Sequence, residues 1–151
     1  MLRYHFEQIK TYEDAKKALF DFHSIRFFPN ENDMKKANID EASRAFIQLQ
    51  IIVRAINDGW TPDIGRGELG YRPQFYLYDS RVSDLPVMKI ECRYRYSEGK
   101  QLALTSVTRG NPESGKAYCP MSLAVKTPEM ARYLGTQFIG LFARFFYGIR
   151  S

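Results

Sequence analysis

The hydrophobic period of the chain changes near Tyr71, and this change constrains the fold more than any other feature. Before Asn57, apolar side chains recur every three or four residues, which is typical of amphipathic helices. From Tyr71 to Val125 they largely alternate with polar side chains, which is typical of strands with one buried face. After Thr127 the helical spacing returns. The order helix, helix, strands, helix predicts an α+β fold.

Three helices are predicted from their ends. Thr11 can cap the first. Asn38 is the predicted cap of the second, with Glu41 three residues later to complete a capping box. The long C-terminal helix begins with Thr127 as cap and Pro128 at its first position. We expect this last helix to pack on one face of the sheet.

The predicted sheet is an antiparallel meander of about four strands. Its predicted strands are residues 71–78, 87–96, 101–107 and 121–125, and residues 109–116 are predicted to form a loop. No linker, repeat or low-complexity tract divides the sequence. Residues 1–151 are therefore predicted to form a single α+β domain, within the usual size range of domains.

Composition excludes several classes of protein. The hydrophobic share is 44% and the charged share 26%, so disorder is not expected. Two cysteines do not make a disulfide framework. No signal-peptide pattern and no apolar run of about 20 residues is present. The sequence predicts a soluble intracellular protein with no membrane partner.

Positive charge is concentrated in the second part of the chain. Residues 1–60 carry nine basic and nine acidic residues, whereas residues 61–151 carry thirteen and eight. The net charge of +5 therefore comes from the region that contains the predicted strands. Such an excess favours an anionic partner by long-range attraction.

Strand alternation separates the basic and aromatic residues of this region into two faces. Tyr94 and Tyr96 fall in phase with the apolar residues and are assigned to the core. The opposite face combines rings with cations, as single-strand nucleic-acid binders do. The candidate binding residues on it are Arg72, Tyr76, Tyr78, Lys89, Arg93 and Arg95. A solvated outer face or a protein interface would use the same residue types.

Catalytic and metal motifs are missing from the sequence. His5 and His23 lack the histidine or cysteine neighbours of a zinc site. No phosphate-binding loop or dinucleotide fingerprint occurs. Asp58 and Asp63 flank Trp60, but they are better explained as a helix end and a turn. We therefore predict a protein that is not an enzyme, with no catalytic residue, no metal and no cofactor.

Three segments together resemble small uncharacterised proteins of phages, prophages and mobile elements of Bacteroidetes. They are Ala55–Asp63, Tyr71–Tyr78 and Leu123–Phe138, of which the last is the most specific. The chain departs from that pattern at position 74, where an aromatic residue is expected, and in residues 109–118. The resemblance implies a phage or mobile-element origin and transfers no functional residue.

Two hypotheses follow for function. The first is an accessory protein that binds single-stranded nucleic acid through the basic and aromatic face. The alternative is a protein-binding module, either an inhibitor of a host defence or transcription enzyme or a small virion component. Ile139 and Phe146 lie beyond the main stripe of the last helix and would suit a homo-oligomer. The expected location is the host cytoplasm, or the virion in the alternative.

Overall fold

The computed structural model describes residues 4–61, 63, 66, 70–77, 90–91 and 115–147. The chain divides into two compact units. Unit 1 contains residues 1–61 and 140–151, and unit 2 contains residues 62–139. Each unit is described by itself, and the single-domain interpretation of residues 1–151 stays a prediction.

Five α-helices account for most of the described regular structure. They are α1 (Tyr12–His23), α2 (Glu31–Lys36), α3 (Glu41–Ile56), α4 (Pro128–Gln137) and α5 (Ile139–Tyr147). The described strands are β1 (Gln74–Leu77), β2 (Ile90–Glu91) and β3 (Gly115–Tyr118). Short 3-10 helices span Phe6–Gln8 and Met121–Leu123.

The first helix follows its predicted pattern except at one ring. Thr11 Oγ1 accepts the backbone N–H of Asp14 at 3.1 Å, as a capping threonine should. Ala15 and Leu19 are fully buried, and α1 packs against α3 in unit 1. Phe22, predicted on the same apolar stripe, is instead 41% exposed.

Pro29 and the polar residues Asn30–Asp33 predict a loop, but a short helix, α2, begins there at Glu31. Asn30 caps it by accepting the backbone N–H of Asp33 at 2.7 Å. Asn38 does not cap α3 as predicted but adopts a left-handed φ of 60° after α2. Asp40 caps α3 instead, with its carboxylate accepting the N–H of Ser43. Asn38 thus ends one helix and Asp40 begins the next. Asn and Asp are favoured in both roles, so residue type alone does not distinguish them.

The third helix supplies the centre of the core of unit 1. Its predicted apolar stripe is largely confirmed, because Ala45, Leu49, Ile52 and Ile56 are fully buried. On α5, Phe142 is also fully buried. The rings of Phe46 and Phe145 stack with centroids 5.1 Å apart, so α5 packs on α3 inside unit 1.

The sheet of unit 2 has three strands among the described residues, and their order differs from the predicted meander. β1 lies in the centre, antiparallel to both β2 and β3. An isolated antiparallel bridge joins Tyr71 to Val125. A meander would order its strands sequentially, whereas the observed order is β2-β1-β3.

The predicted α+β fold with a four-stranded meander is therefore wrong. The described part of the chain is mainly helical, and its strands are only two to four residues long. Two predicted elements account for part of this difference. Residues 121–125 form a 3-10 turn and a bridge residue, and β3 begins at the last two residues of the segment predicted as a loop. The predicted strand at 101–107 lies outside the described residues.

The predicted long C-terminal helix is divided in two at Phe138. Thr127 and Pro128 begin α4 as expected, with Thr127 Oγ1 accepting the N–H of Met130 at 3.1 Å. Phe138 leaves helical geometry with φ −108° and ψ 28°. Thr136 Oγ1 donates to the carbonyl of Arg132 at 2.8 Å, a bond that tends to bend helices.

A hydrogen bond between His23 and Asp58 joins the ends of α1 and α3. His23 Nε2 and Asp58 Oδ1 are 2.7 Å apart. Gly59 follows Asn57 and Asp58 at the end of α3, a pattern that predicts a left-handed closing glycine, and its φ of 85° confirms this. A Cβ at position 59 would lie 2.8 Å from His23 Cε1. Glycine is therefore required there for backbone conformation and for space.

We expect Gly59→Ala to destabilise unit 1 by about 1–2 kcal/mol from the left-handed backbone alone, with a further cost from the clash with His23. Urea denaturation followed by circular dichroism measures the effect. In a His23→Ala background the clash is absent, so the cost should shrink towards the backbone contribution.

Gly140→Ala is the matched control for this prediction, because nothing lies within 4 Å of a Cβ at that helical position. It should be neutral or slightly stabilising. Equal losses for the two glycine variants would contradict the argument.

Candidate functional site

The structure describes two of the six predicted nucleic-acid-binding residues. Arg72 precedes β1, and the backbone of Tyr76 lies within β1. Tyr78, Lys89, Arg93 and Arg95 lie outside the described residues. Tyr76 is the backbone partner of Glu91 across the β1–β2 ladder, and Leu77 is the partner of Ile90. The antiparallel pairing that the site hypothesis required is therefore present between these strands.

Arg72 is half-buried and bound to the backbone of unit 2. Its Nη1 donates to the carbonyl of Cys119 at 2.6 Å. Its Nε is buried and has no partner among the residues the structure describes. Cys119 is itself buried and donates its thiol to the Pro73 carbonyl at 3.0 Å. Arg72 therefore spends part of its hydrogen-bonding capacity inside unit 2.

Unit 1 contains a network of two carboxylates and two guanidinium groups. Glu31 Oε1 accepts from Arg44 Nε at 3.0 Å and from Arg144 Nη2 at 2.7 Å. Glu41 accepts from Arg44 Nη2 and from Arg144 Nε. Each acid thus binds both arginines, and each arginine binds both acids. Gln48 completes the set by donating its amide to Glu31 Oε2.

Three separate stretches of the chain supply this network. Glu31 is on α2, Glu41 and Arg44 are on α3, and Arg144 is on α5. The arginine side chains are only 9% and 11% exposed. Arg44 Nη1 also donates to the Ile39 carbonyl at 2.6 Å. Because the charges balance and most of the guanidinium nitrogens donate hydrogen bonds, the group can remain in a part-buried position.

Electrostatics at Glu31 follow from this arrangement. Burial alone would raise the pKa of the Glu31 carboxyl. The hydrogen bonds and charges of Arg44 and Arg144 outweigh burial, and the net pKa lies below its ordinary value. The folded state therefore favours the ionised carboxylate.

A polar cavity of about 830 Å³ opens beside the network in unit 1. Tyr12 forms part of its wall and donates its hydroxyl to the Pro29 carbonyl at 2.7 Å. Burial, with Glu13 and Glu31 nearby, raises the pKa of Tyr12 to about 12. Tyr12 therefore remains a neutral hydrogen-bond donor at physiological pH. Lys35 and Asn38 also line the cavity.

Three phenylalanines of unit 1 are exposed. Phe20 is 54% exposed and Phe22 41%, and Phe27 is 92% exposed. The ring of Phe22 contacts the ring of Tyr4 with centroids 5.3 Å apart. Contiguous exposed apolar patches mark interaction surfaces, and exposed phenylalanines can contribute to one.

Sequence reasoning missed the ion network. The spacing of the apolar residues in the last helix predicts that Arg144 lies on its polar side, yet that side chain is 11% exposed and bound to two acids. The positions of Glu41, Arg44 and Gln48, at spacings of three and four residues, were the available signal, because such residues share one helix face. Nothing in the sequence connected that face to Glu31 and Arg144.

Two features are absent from the described ranges of the chain. There, no group of three or more histidine, cysteine, aspartate or glutamate side chains is arranged to hold a metal ion. Among the same residues, no helix has the length and apolar character needed to cross a bilayer.

Comparisons of the chain with protein-family models, curated proteins and solved structures found no match.

The network predicts a loss of stability at acid pH. A carboxyl whose folded pKa is lowered stabilises the folded state above its unfolded pKa, and this contribution disappears as pH falls through the folded value. For Glu31 the loss should begin below its reference pKa of 4.5. Glu31→Gln should cost about 1–3 kcal/mol at pH 7 and reduce the stability lost on acidification. Chemical denaturation from pH 7 to 3 tests this.

Glu129→Gln is the control, since Glu129 is in the first turn of α4 and outside the network. An equal change of acid sensitivity in both variants would contradict the assignment to Glu31.

Proposed function

We propose that the chain is a non-enzymatic accessory protein of a phage or mobile element that binds single-stranded nucleic acid. The observation that carries this proposal is the antiparallel pairing of Tyr76 with Glu91. Residues that are directly paired across a sheet lie on the same face, and Lys89, Arg93 and Arg95 are in phase with Glu91 in the sequence. Arg72 and Tyr78 are in phase with Tyr76.

Charge and chemistry support the same proposal. The excess of basic residues lies between residues 61 and 151, so the region that contains β1 and β2 attracts phosphates. Aromatic rings stack on bases without strong sequence preference, and each stacked base contributes about 1–3 kcal/mol. The ligand class favoured is therefore an unpaired strand of DNA or RNA.

Titration of fluorescein-labelled single-stranded DNA and RNA at several salt concentrations tests the proposal. We expect binding that weakens as salt rises. Tyr76→Ala should reduce affinity roughly 5- to 150-fold if one base stacks on that ring. Arg93→Gln with Arg95→Gln should flatten the plot of log affinity against log salt by about 0.7 for each phosphate that the variant no longer neutralises.

The double variant Lys126→Gln with Arg132→Gln is the matched control. It removes the same charge from exposed positions in and before α4, outside the predicted set. Absence of binding at low salt, or equal effects of the two double variants, would refute a specific binding face.

We also propose an alternative, protein binding, because Phe20, Phe22 and Phe27 are exposed in unit 1. The partner would be a host or phage protein, with a second copy of the chain as a further case. Aromatic side chains are enriched where proteins bind one another. This alternative uses unit 1, whereas nucleic-acid binding uses β1 and β2 of unit 2.

Cross-linking of the purified chain to proteins from host lysate and from virions, with mass-spectrometric mapping, tests the alternative. Cross-links should map near Phe20 and Phe27 and should disappear in the Phe20→Ser, Phe27→Ser variant. Sedimentation of the parent chain and of this variant detects self-association. Cross-links that map elsewhere, or that persist in the variant, would exclude this surface.

A further inference from the structure

The polar cavity of unit 1 has the size of a small-molecule site. Its volume is about 830 Å³, and such sites commonly measure roughly 300–1,000 Å³. Acidic and basic side chains both line it. The balance of charges on this wall determines which class of ligand it can bind.

The acidic residues of the wall are already matched by cations. Glu31 and Glu41 are each bound by Arg44 and Arg144. Glu13, a third acidic lining residue, pairs with Lys16 at 2.8 Å. A cation entering the cavity would find no unmatched carboxylate in this set.

Lys35 is the lining cation that takes no part in these ion pairs. It has no ion-pair partner within the described ranges of the chain, and its side chain is exposed. The lining residues carry three acidic and three basic side chains, so the wall has no net charge, and Lys35 is its unpaired cation that can attract an anion locally.

Arg144 provides a second donor. Its Nε and Nη2 are used by Glu41 and Glu31, whereas Nη1 has no partner among the described residues. Among the described residues, Arg72 Nε is the fully buried side-chain nitrogen that has no partner. Arg144 Nη1 is therefore not fully buried. Arg144 lines the cavity, and Nη1 keeps some exposure, so we take it as the donor that is open to a ligand there. The two carboxylates hold the guanidinium group in a fixed orientation.

We propose that this cavity binds a small anion carrying a phosphate or carboxylate group, with Lys35 and Arg144 Nη1 as its donors. A guanidinium edge fits either oxyanion. Glu31, Glu41 and Arg44 act as positioning residues, because they orient Arg144 and leave one edge of it open. The site lies in unit 1 and goes beyond nucleic-acid binding by β1 and β2, so either proposal can fail without the other.

Calorimetric titration of the full chain with inorganic phosphate, and separately with acetate, tests the site at constant ionic strength set by chloride. We expect saturable binding of at least one of the two anions. The NMR signal of the Arg144 Nε–H group should shift along the same saturation curve. Binding of phosphate alone or of both anions identifies the oxyanion that the cavity accepts.

Lys35→Ala should weaken that binding roughly tenfold, which is the effect of removing one favourable charge interaction. Lys36→Ala is the matched control. It removes the same charge one residue further along the chain, and the Lys36 side chain does not line the cavity. Circular dichroism establishes that both variants fold. The proposal is overturned if neither anion saturates the chain at about 10 mM. It is also overturned if Lys35→Ala binds like the parent protein or if both variants weaken binding equally.

Discussion

Mutual neutralisation of two glutamates and two arginines is the interaction on which the packing of unit 1 depends. An ion moved out of water loses several kcal/mol of solvation free energy, and only partners in good hydrogen-bonding geometry offset that loss. Here each charge has two partners of opposite sign. Loss of any one member therefore leaves two others short of a partner. The four side chains are therefore coupled, and the cost of losing one depends on the other three.

Several features set by neighbouring residues were predicted from the sequence, although the cap of α3 was assigned to Asn38 and is Asp40. The caps at Thr11 and Thr127, the stripe of α3 and the left-handed Gly59 all depend on residues within one helical turn. Features set by distant residues were not predicted. The central position of β1 depends on its pairing with β3, about forty residues away. Alternation in the sequence shows that a strand is favoured but does not select its neighbours.

The candidate sites show the same division. Strand alternation assigned Arg72 and Tyr76 to the same face of their strand. The proposed binding face needs antiparallel pairing of the next strand with this one, and β1 and β2 are paired in that way. The cavity and its donors could not be foreseen, because Lys35 and Arg144 are more than a hundred residues apart in sequence. Arg144 also looked like a solvated helix residue. A buried arginine is recognisable from the sequence only when its partners are local.

The composition of unit 1 has a consequence for protein synthesis. Residues 1–61 leave the ribosome first, yet Arg144 and Phe145, which complete their packing, are made only after the whole of unit 2. Glu31, Glu41 and Arg44 must wait for more than ninety intervening residues to be translated. The packing of unit 1 is thus completed last, although residues 1–61 are synthesised before unit 2. Until then the side of α3 that contacts α5 in the finished unit has no partner, although α1 can already pack on α3.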